Sequence, residues 1–413
     1  DIPNNEFTRD EILSMLAKEM LDAAELLPAS QSEVGRIHKY IALAYAAKIK
    51  LYQAYQQDET THAVTSINKE LLREVVSLCD QVTASNRYGL LDDFQGLDLV
   101  ANENGKESVF AIQYSMNDGT ESAGRINWSN LLNSPGGGSP YGGDGFFLPS
   151  QDLINAYQTD ANGLPDFNYQ SKSDYSWAVL NNGVYTLQNT TPNVDPRLDF
   201  VVGRPTITWK TYPDKPCEGW VRDKETYGYN CAKRFWVSPE SSDMFNGWPW
   251  GASQLNWQII RYADILLWKA EALIELNEGD GLETARDLIN QIRNRARNSA
   301  YVKDFNDHSK YAANYLVNPY PADVWNQDYA RQALRWETRL EKALEGERFF
   351  DLVRWGIVET TMNKYITAES DNRIYYANAH FTGGKDEYYP VPNNQYGFSG
   401  GKYVQNPGYA PFN

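Results

Sequence analysis

Eight of the chain's twelve tryptophans fall between residues 128 and 257. Indole rings gathered this way have a direct chemical use, because the C–H faces of sugar rings stack on them with large contact area and few rotamers to freeze. Trp209, Tyr212 and Trp220 stand among polar and proline-rich neighbours, a setting poorly suited to a core, and are the first candidates for such a surface. Trp248 and Trp250, in the Gly247-Trp-Pro-Trp-Gly251 turn, form a second pair, and Trp128, Tyr141 and Trp177 extend the set. Arg222 and Asp223 follow Trp220 and offer the planar donors and acceptors that glycan hydroxyls need. Each residue also has a plainer reading. Loop aromatics pin long loops onto a scaffold, and paired charges on a loop are often only solvated.

Other chemistries find little support. The four histidines, His38, His62, His308 and His380, lie far apart, with no H-E-x-x-H pattern and no metal-ligand cysteine spacing, so neither a zinc site nor another metal cofactor is expected. No nucleophile-elbow, Walker or dinucleotide pattern occurs. Asn277 to Gly281 is calcium-like in composition only, and a helix–helix turn explains it better. Acidic residues are abundant, and two could flank a glycosidic bond, but spacing in sequence does not define that geometry. The net charge of −16 disfavours phosphate backbones and anionic lipid surfaces, so nucleic acid is not an expected partner. The one basic run, Arg293 to Arg297, reads as helix C-terminal charge facing water.

Trp336 to Gly356 carries charge at a density that neither a plain core helix nor a plain surface helix explains. Tyr329, Ala333, Trp336, Leu340 and Leu344 make one apolar stripe, and Gly346 is placed to end that helix. Arg348, Asp351 and Arg354 then alternate with Phe349, Phe350, Leu352, Val353 and Trp355. Burying such charges singly costs several kcal/mol, so they should pair with one another, with Glu341 or Glu345, or with loop carbonyls. A structural network is the expected outcome, ahead of catalysis.

The elements that position these groups are mainly helical. Thr8-Arg9-Asp10-Glu11 is a capping box ahead of a helix over about 9–27, and further helices are expected over about 35–56 and 69–84. Tyr40 to Ser85 and Tyr262 to Ala296 share a layout of an Ala-rich helix, a polar turn and a shorter amphipathic helix, similar to tetratricopeptide units without a strict period. From 86 to 254, turns such as Tyr141 to Gly145 punctuate short runs, with strands expected at Val109 to Tyr114 and Leu198 to Val202. The chain therefore divides into a helical part (1–85), a loop-rich part (86–254) carrying the candidate site, and a C-terminal helical part (255–413), intertwined as one unit. Cys79 reads as a small core residue; Cys217 and Cys231 could be bridged or remain two free thiols. No stretch is apolar enough to span a membrane.

Several blocks together carry a resemblance. Glu337-x-Arg339-x-Glu341 followed by Glu345-Gly346-x-Arg348-x-x-Asp351-Leu352-x-Arg354-Trp355-Gly356 resembles the C-terminal signature of the SusD/RagB family of Bacteroidetes glycan-binding lipoproteins. Asn256 with Arg261 to Leu267 and Ala270-Glu271-Ala272, Asp195-Pro196-Arg197-Leu198, Tyr389-Pro390-Val391-Pro392 and Gln405 to Tyr409 are similar to its other blocks, in the family's order. Thr338 and Lys342 depart from the pattern, where arginine and leucine are common. The resemblance implies a helical, tetratricopeptide-like scaffold covered by long irregular loops. It implies a structural role for Trp236 and non-catalytic capture of an oligosaccharide or polysaccharide. It further implies lipid anchoring on the extracellular face of the outer membrane, delivery to a SusC-like TonB-dependent β-barrel transporter, and a leading portion with the acylated cysteine that this chain lacks. A RagB-like peptide cargo is an alternative within the family, and a glycoside hydrolase one outside it.

Overall fold

A computed structural model describes residues 3–120, 124–133, 136, 138–210 and 212–412. Six longer helices form the frame: Arg9–Leu26, Lys39–Ala54, Lys69–Ala84, Tyr262–Leu276, Gly281–Asn298 and Gln327–Glu341. Each packs on the next in this order, so the loop-rich segment is a long insertion between the third and fourth members of one helical stack. The insertion is closed at its neck, where Ser108–Ile112 pairs antiparallel with Trp257–Arg261. Elsewhere among the described residues strands are short and occur only as two-stranded pairs.

Local chemistry explains the frame. Thr8 accepts from the Glu11 amide and Glu11 accepts in return, the reciprocal capping box expected at that helix start. Lys39–Ala54 carries Ala42, Ala44, Ala46, Ala47 and Ala54, whose small side chains allow close packing on both neighbours. Lys69–Ala84 turns Leu72, Val75, Leu78, Cys79 and Val82 inward, so Cys79 is the core residue its periodicity indicates. Leu198 to Val202 differs from expectation: Arg197–Val201 is a helical turn and only Val202–Gly203 is strand. The Asp195 carboxylate accepts from the Arg197 amide 3.0 Å away, which stabilises a turn at that point rather than an extended chain.

Most charges of the last helices are buried and paired; Arg348, expected to pair, forms no ion pair among the described residues. Arg197 meets Asp195 at 2.7 Å, Glu337 at 2.5 Å and Glu341 at 3.2 Å; Arg261 meets Glu107, Glu341 and Glu345 at 2.8, 3.0 and 2.7 Å. Arg354 is clamped by Glu271 and by Asp351. Burial raises the Glu341 carboxyl, but Arg295, Arg261 and Arg197 outweigh it and hold the group below its ordinary range. Glu345, buried beside Arg261 and Arg234, is likewise held down to about 2. Lys342, unusual for the family pattern, is used here to join Asp264 and Glu347. Two details correct the sequence reading. Arg293 and Arg295 do not face water: Arg293 bonds Glu337 and the carbonyls of Asn318 and Gly163, and Arg295 bonds Glu107 and Glu341. The helix also ends at Glu341 rather than at Gly346: Lys342 caps it outside the helical conformation, and Leu344 adopts a left-handed backbone (φ 68°). The unwound turn brings Glu345 to Arg261 and Arg234.

Candidate functional site

The loop-rich segment sorts its aromatic residues into two layers. Trp209 (0% exposed), Trp220 (4%) and Tyr141 (1%) are buried with Trp236, Val221, Cys217 and Cys231. Trp209 and Trp220 meet edge-to-face at 4.9 Å, and Tyr141 lies 5.1 Å from Trp236. The polar tips are satisfied: the Trp209 indole donates to the Tyr141 hydroxyl at 2.9 Å, which donates to the Val237 carbonyl at 2.7 Å. These rings are closed to solvent, which corrects the expectation that Trp209, Trp220 and Tyr141 offer a stacking surface. Their polar neighbours belong to turns, while the rings pack on partners far away in sequence. Tyr212 pairs with Trp209 through its backbone, and its side chain lies outside the described residues. Cys217 and Cys231 are unbridged thiols of this layer, and burial, with the adjacent Cys217, raises the Cys231 thiol well above its usual range.

The outer layer is different. Trp248 (58% exposed), Trp250 (51%) and Trp128 (47%) stand in solvent. Trp128 and Trp248 meet edge-to-face at 5.1 Å, so two rings distant in sequence form one raised surface. The turn bearing Trp248 and Trp250 is fixed from below: Phe245 donates to the Ala252 carbonyl at 2.9 Å, and the buried Asn130 amide donates to the Phe235 and Gly251 carbonyls at 3.3 and 3.2 Å. Gly142 (φ +65°) lets a neighbouring loop approach Trp250, since a Cβ there would sit 2.9 Å from the Trp250 Cβ. Phe146 and Leu132, both exposed, are tied together by a 3.0 Å backbone bond, and Leu132 lies on the short helix that follows Trp128. Neither was singled out in the sequence; the glycines at 142, 143 and 145 were the available signal that Phe146 sits on a turn.

The polar candidates act mainly on the loops. Arg222 donates to the Gly143 carbonyl at 2.6 Å and approaches Asp144 at 3.3 Å, keeping its guanidinium largely exposed. Asp223 caps the Lys224–Tyr227 turn by accepting from the Thr226 amide, and that hydrogen bonding lowers its carboxyl. Trp177 is exposed on a separate hairpin, Trp177–Asn181 with Val184–Gln188. Among the described residues no cluster of metal ligands occurs. The arrangement of the outer layer suits apolar stacking on an open face, with Arg222 held on the adjoining loop at Gly143.

The protein is thus a helical stack interrupted by a large loop insertion whose exposed indoles stand on hydrogen-bonded turns. The chain belongs to the SusD family, whose sequence model matches residues 106–409. The fold is similar to that of a SusD superfamily protein from Bacteroides vulgatus (TM-score 0.64, 21% identity, 97% of this chain and 68% of that one). It is also similar to a SusD homologue from Bacteroides thetaiotaomicron (TM-score 0.68, 17% identity, 97% and 70%). A third neighbour is surface glycan-binding protein A from Bacteroides thetaiotaomicron, solved in complex with laminarihexaose (TM-score 0.58, 17% identity, 96% and 70%). No curated protein sequence matches the chain significantly.

Proposed function

We propose that this protein captures an oligosaccharide or polysaccharide at the cell surface without breaking bonds in it. The observation that carries the reading is the outer aromatic layer: Trp128, Trp248 and Trp250 are exposed, yet mounted on hydrogen-bonded turns above a buried aromatic layer. Rings held in place stack on sugars without an ordering cost, which is what a binding surface needs. Membership in the SusD family and the laminarihexaose complex of a structural neighbour support a glycan cargo. In this reading the protein is lipid-anchored on the extracellular face of the outer membrane and hands its cargo to a SusC-like TonB-dependent transporter.

The test is a binding screen of the purified protein against neutral and acidic polysaccharides, followed by long incubation with each one bound. Saturable binding with no release of reducing ends is expected. Reducing ends that persist through rigorous purification, or no polysaccharide bound at all, would overturn the reading. Co-purification of a TonB-dependent β-barrel protein with the native chain tests the transporter step.

A further inference from the structure

A cleft of about 670 Å³ opens between the Gln327–Glu341 helix, the Arg348–Arg354 helix and the Val358–Ser370 helix. Its size lies within the ~300–1,000 Å³ of small-ligand pockets. It shares no residue with the exposed tryptophan surface. In a chain of net charge −16 this wall is cationic: Arg331, Arg335, Arg339, Lys342, Arg348 and Lys364 line it, against the carboxylates Asp152 and Asp328.

Three of these cations are already matched. Arg331 pairs with Glu275 and Asp328 at 2.7 and 3.1 Å, Arg339 with Asp152 at 2.7 Å, and Lys342 with Asp264 and with Glu347 at 3.3 Å. Arg335 and Arg348 are not. Among the described residues the side chain of neither forms an ion pair or a hydrogen bond, although both are only partly exposed, whereas Lys364 is exposed to water. Arg335 rests on the Trp355 face, 5.3 Å from its centroid. Burial first, and then the charge of Arg339, brings the Arg348 guanidinium down to about 9, and burial also lowers Arg335. The carboxylates that act on them are spent elsewhere: for Arg348, Asp351 on Arg354 at 2.9 Å and Asp152 on Arg339 and the Tyr169 hydroxyl; for Arg335, Glu271 on Arg354 and Glu275 on Arg331 at 2.7 Å.

Two partly buried guanidiniums without an ion-pair partner of their own are costly, and the planar fork of each matches the oxygens of a carboxylate or sulfate. We infer that the cleft is a second binding site, for a small oxyanion-bearing ligand of the size of an acidic sugar, whose carboxylate or sulfate is received by Arg348, with Arg335 as a further cation of the same wall. Trp336 and Tyr169 in the same wall give such a ligand's ring an aromatic neighbour. The inference does not depend on the aromatic surface binding glycan.

Calorimetric titration with glucuronate, inorganic sulfate and glucose tests it. Saturable binding of glucuronate is expected, weakened at least tenfold by Arg348→Gln and to a smaller degree by Arg335→Gln, and unchanged in the Trp128→Ala/Trp248→Ala variant. Arg348→Lys, which keeps the charge and loses the fork, is expected to weaken binding too, and serves if the glutamine variant does not fold. Sulfate that competes with glucuronate identifies the anion as the recognised group; glucuronate binding without sulfate binding adds a role for the ring. No saturable binding of either anion, glucose binding as tightly as glucuronate, or anion binding that survives both substitutions would overturn the inference.

Discussion

Trp209 and Trp248 come from the same loop-rich segment and stand in equally polar sequence, yet one is wholly enclosed and the other more than half exposed. The difference is made by what lies opposite. Trp209 faces Tyr141 and Trp220 and has its indole nitrogen satisfied inside the protein, whereas Trp248 meets Trp128 edge-to-face at the rim. An inner layer that pins loops therefore supports an outer layer that stands in solvent. An aromatic count identifies the region without telling the layers apart.

The contrast can be broken at its foundation first. Glu341 receives Arg261, Arg295 and Arg197 in the interior. Glu341→Ala should cost about 3–5 kcal/mol, the range for stranding buried charge, read as a lower urea midpoint. A midpoint within error of the parent would mean that the network braces nothing.

Within the loop region, Trp209→Ala should cost ~3–5 kcal/mol of stability, as expected for emptying a tryptophan-sized core site. Trp248→Ala should change stability by less than about 0.5 kcal/mol. Thermal unfolding of both variants checks this; equal losses would erase the distinction between the layers.

A smaller effect concerns pH. Burial first, then the neighbouring Asp152 charge, raises the Glu369 carboxyl to about 7, although one of its oxygens accepts from the Asp152 amide at 2.5 Å. Its folded pKa lies above the unfolded value, so its contribution is fully present below the ordinary carboxylate range and is lost as pH rises through about 7. Glu369→Gln should therefore stabilise the protein by roughly 1–2 kcal/mol at alkaline pH and have little effect in mild acid. Denaturant unfolding at two pH values checks it, and an identical difference at both would refute the assignment.

Much of the frame was legible in the sequence. The capping box at Thr8 and the apolar face of Val75, Cys79 and Val82 are local signals, and the helices form where those signals stand. The demand of the Trp336 to Gly356 charges for partners was legible as well, because burial of a charge implies a counter-charge. Which partners they take was not: Arg293 and Arg295 look like a solvated helix end until Glu337 and Glu341 arrive from another helix. Local pattern also misled at Leu198, where the Asp195 side chain sets the backbone. At the candidate site the limit was sharper. Burial of Trp209 depends on Tyr141, 68 residues away, and no local pattern carries that contact.

The central claim is that the outer layer binds glycan while the inner layer holds it in place. It is tested most directly by calorimetry of the parent, Trp128→Ala/Trp248→Ala and Trp209→Phe against the tightest-binding polysaccharide of the screen. The exposed pair's removal should weaken binding at least ~tenfold, equivalent to about 1.4 kcal/mol, with an unchanged melting temperature, while Trp209→Phe should keep affinity and lose stability. Full affinity in the folded double variant would contradict the account.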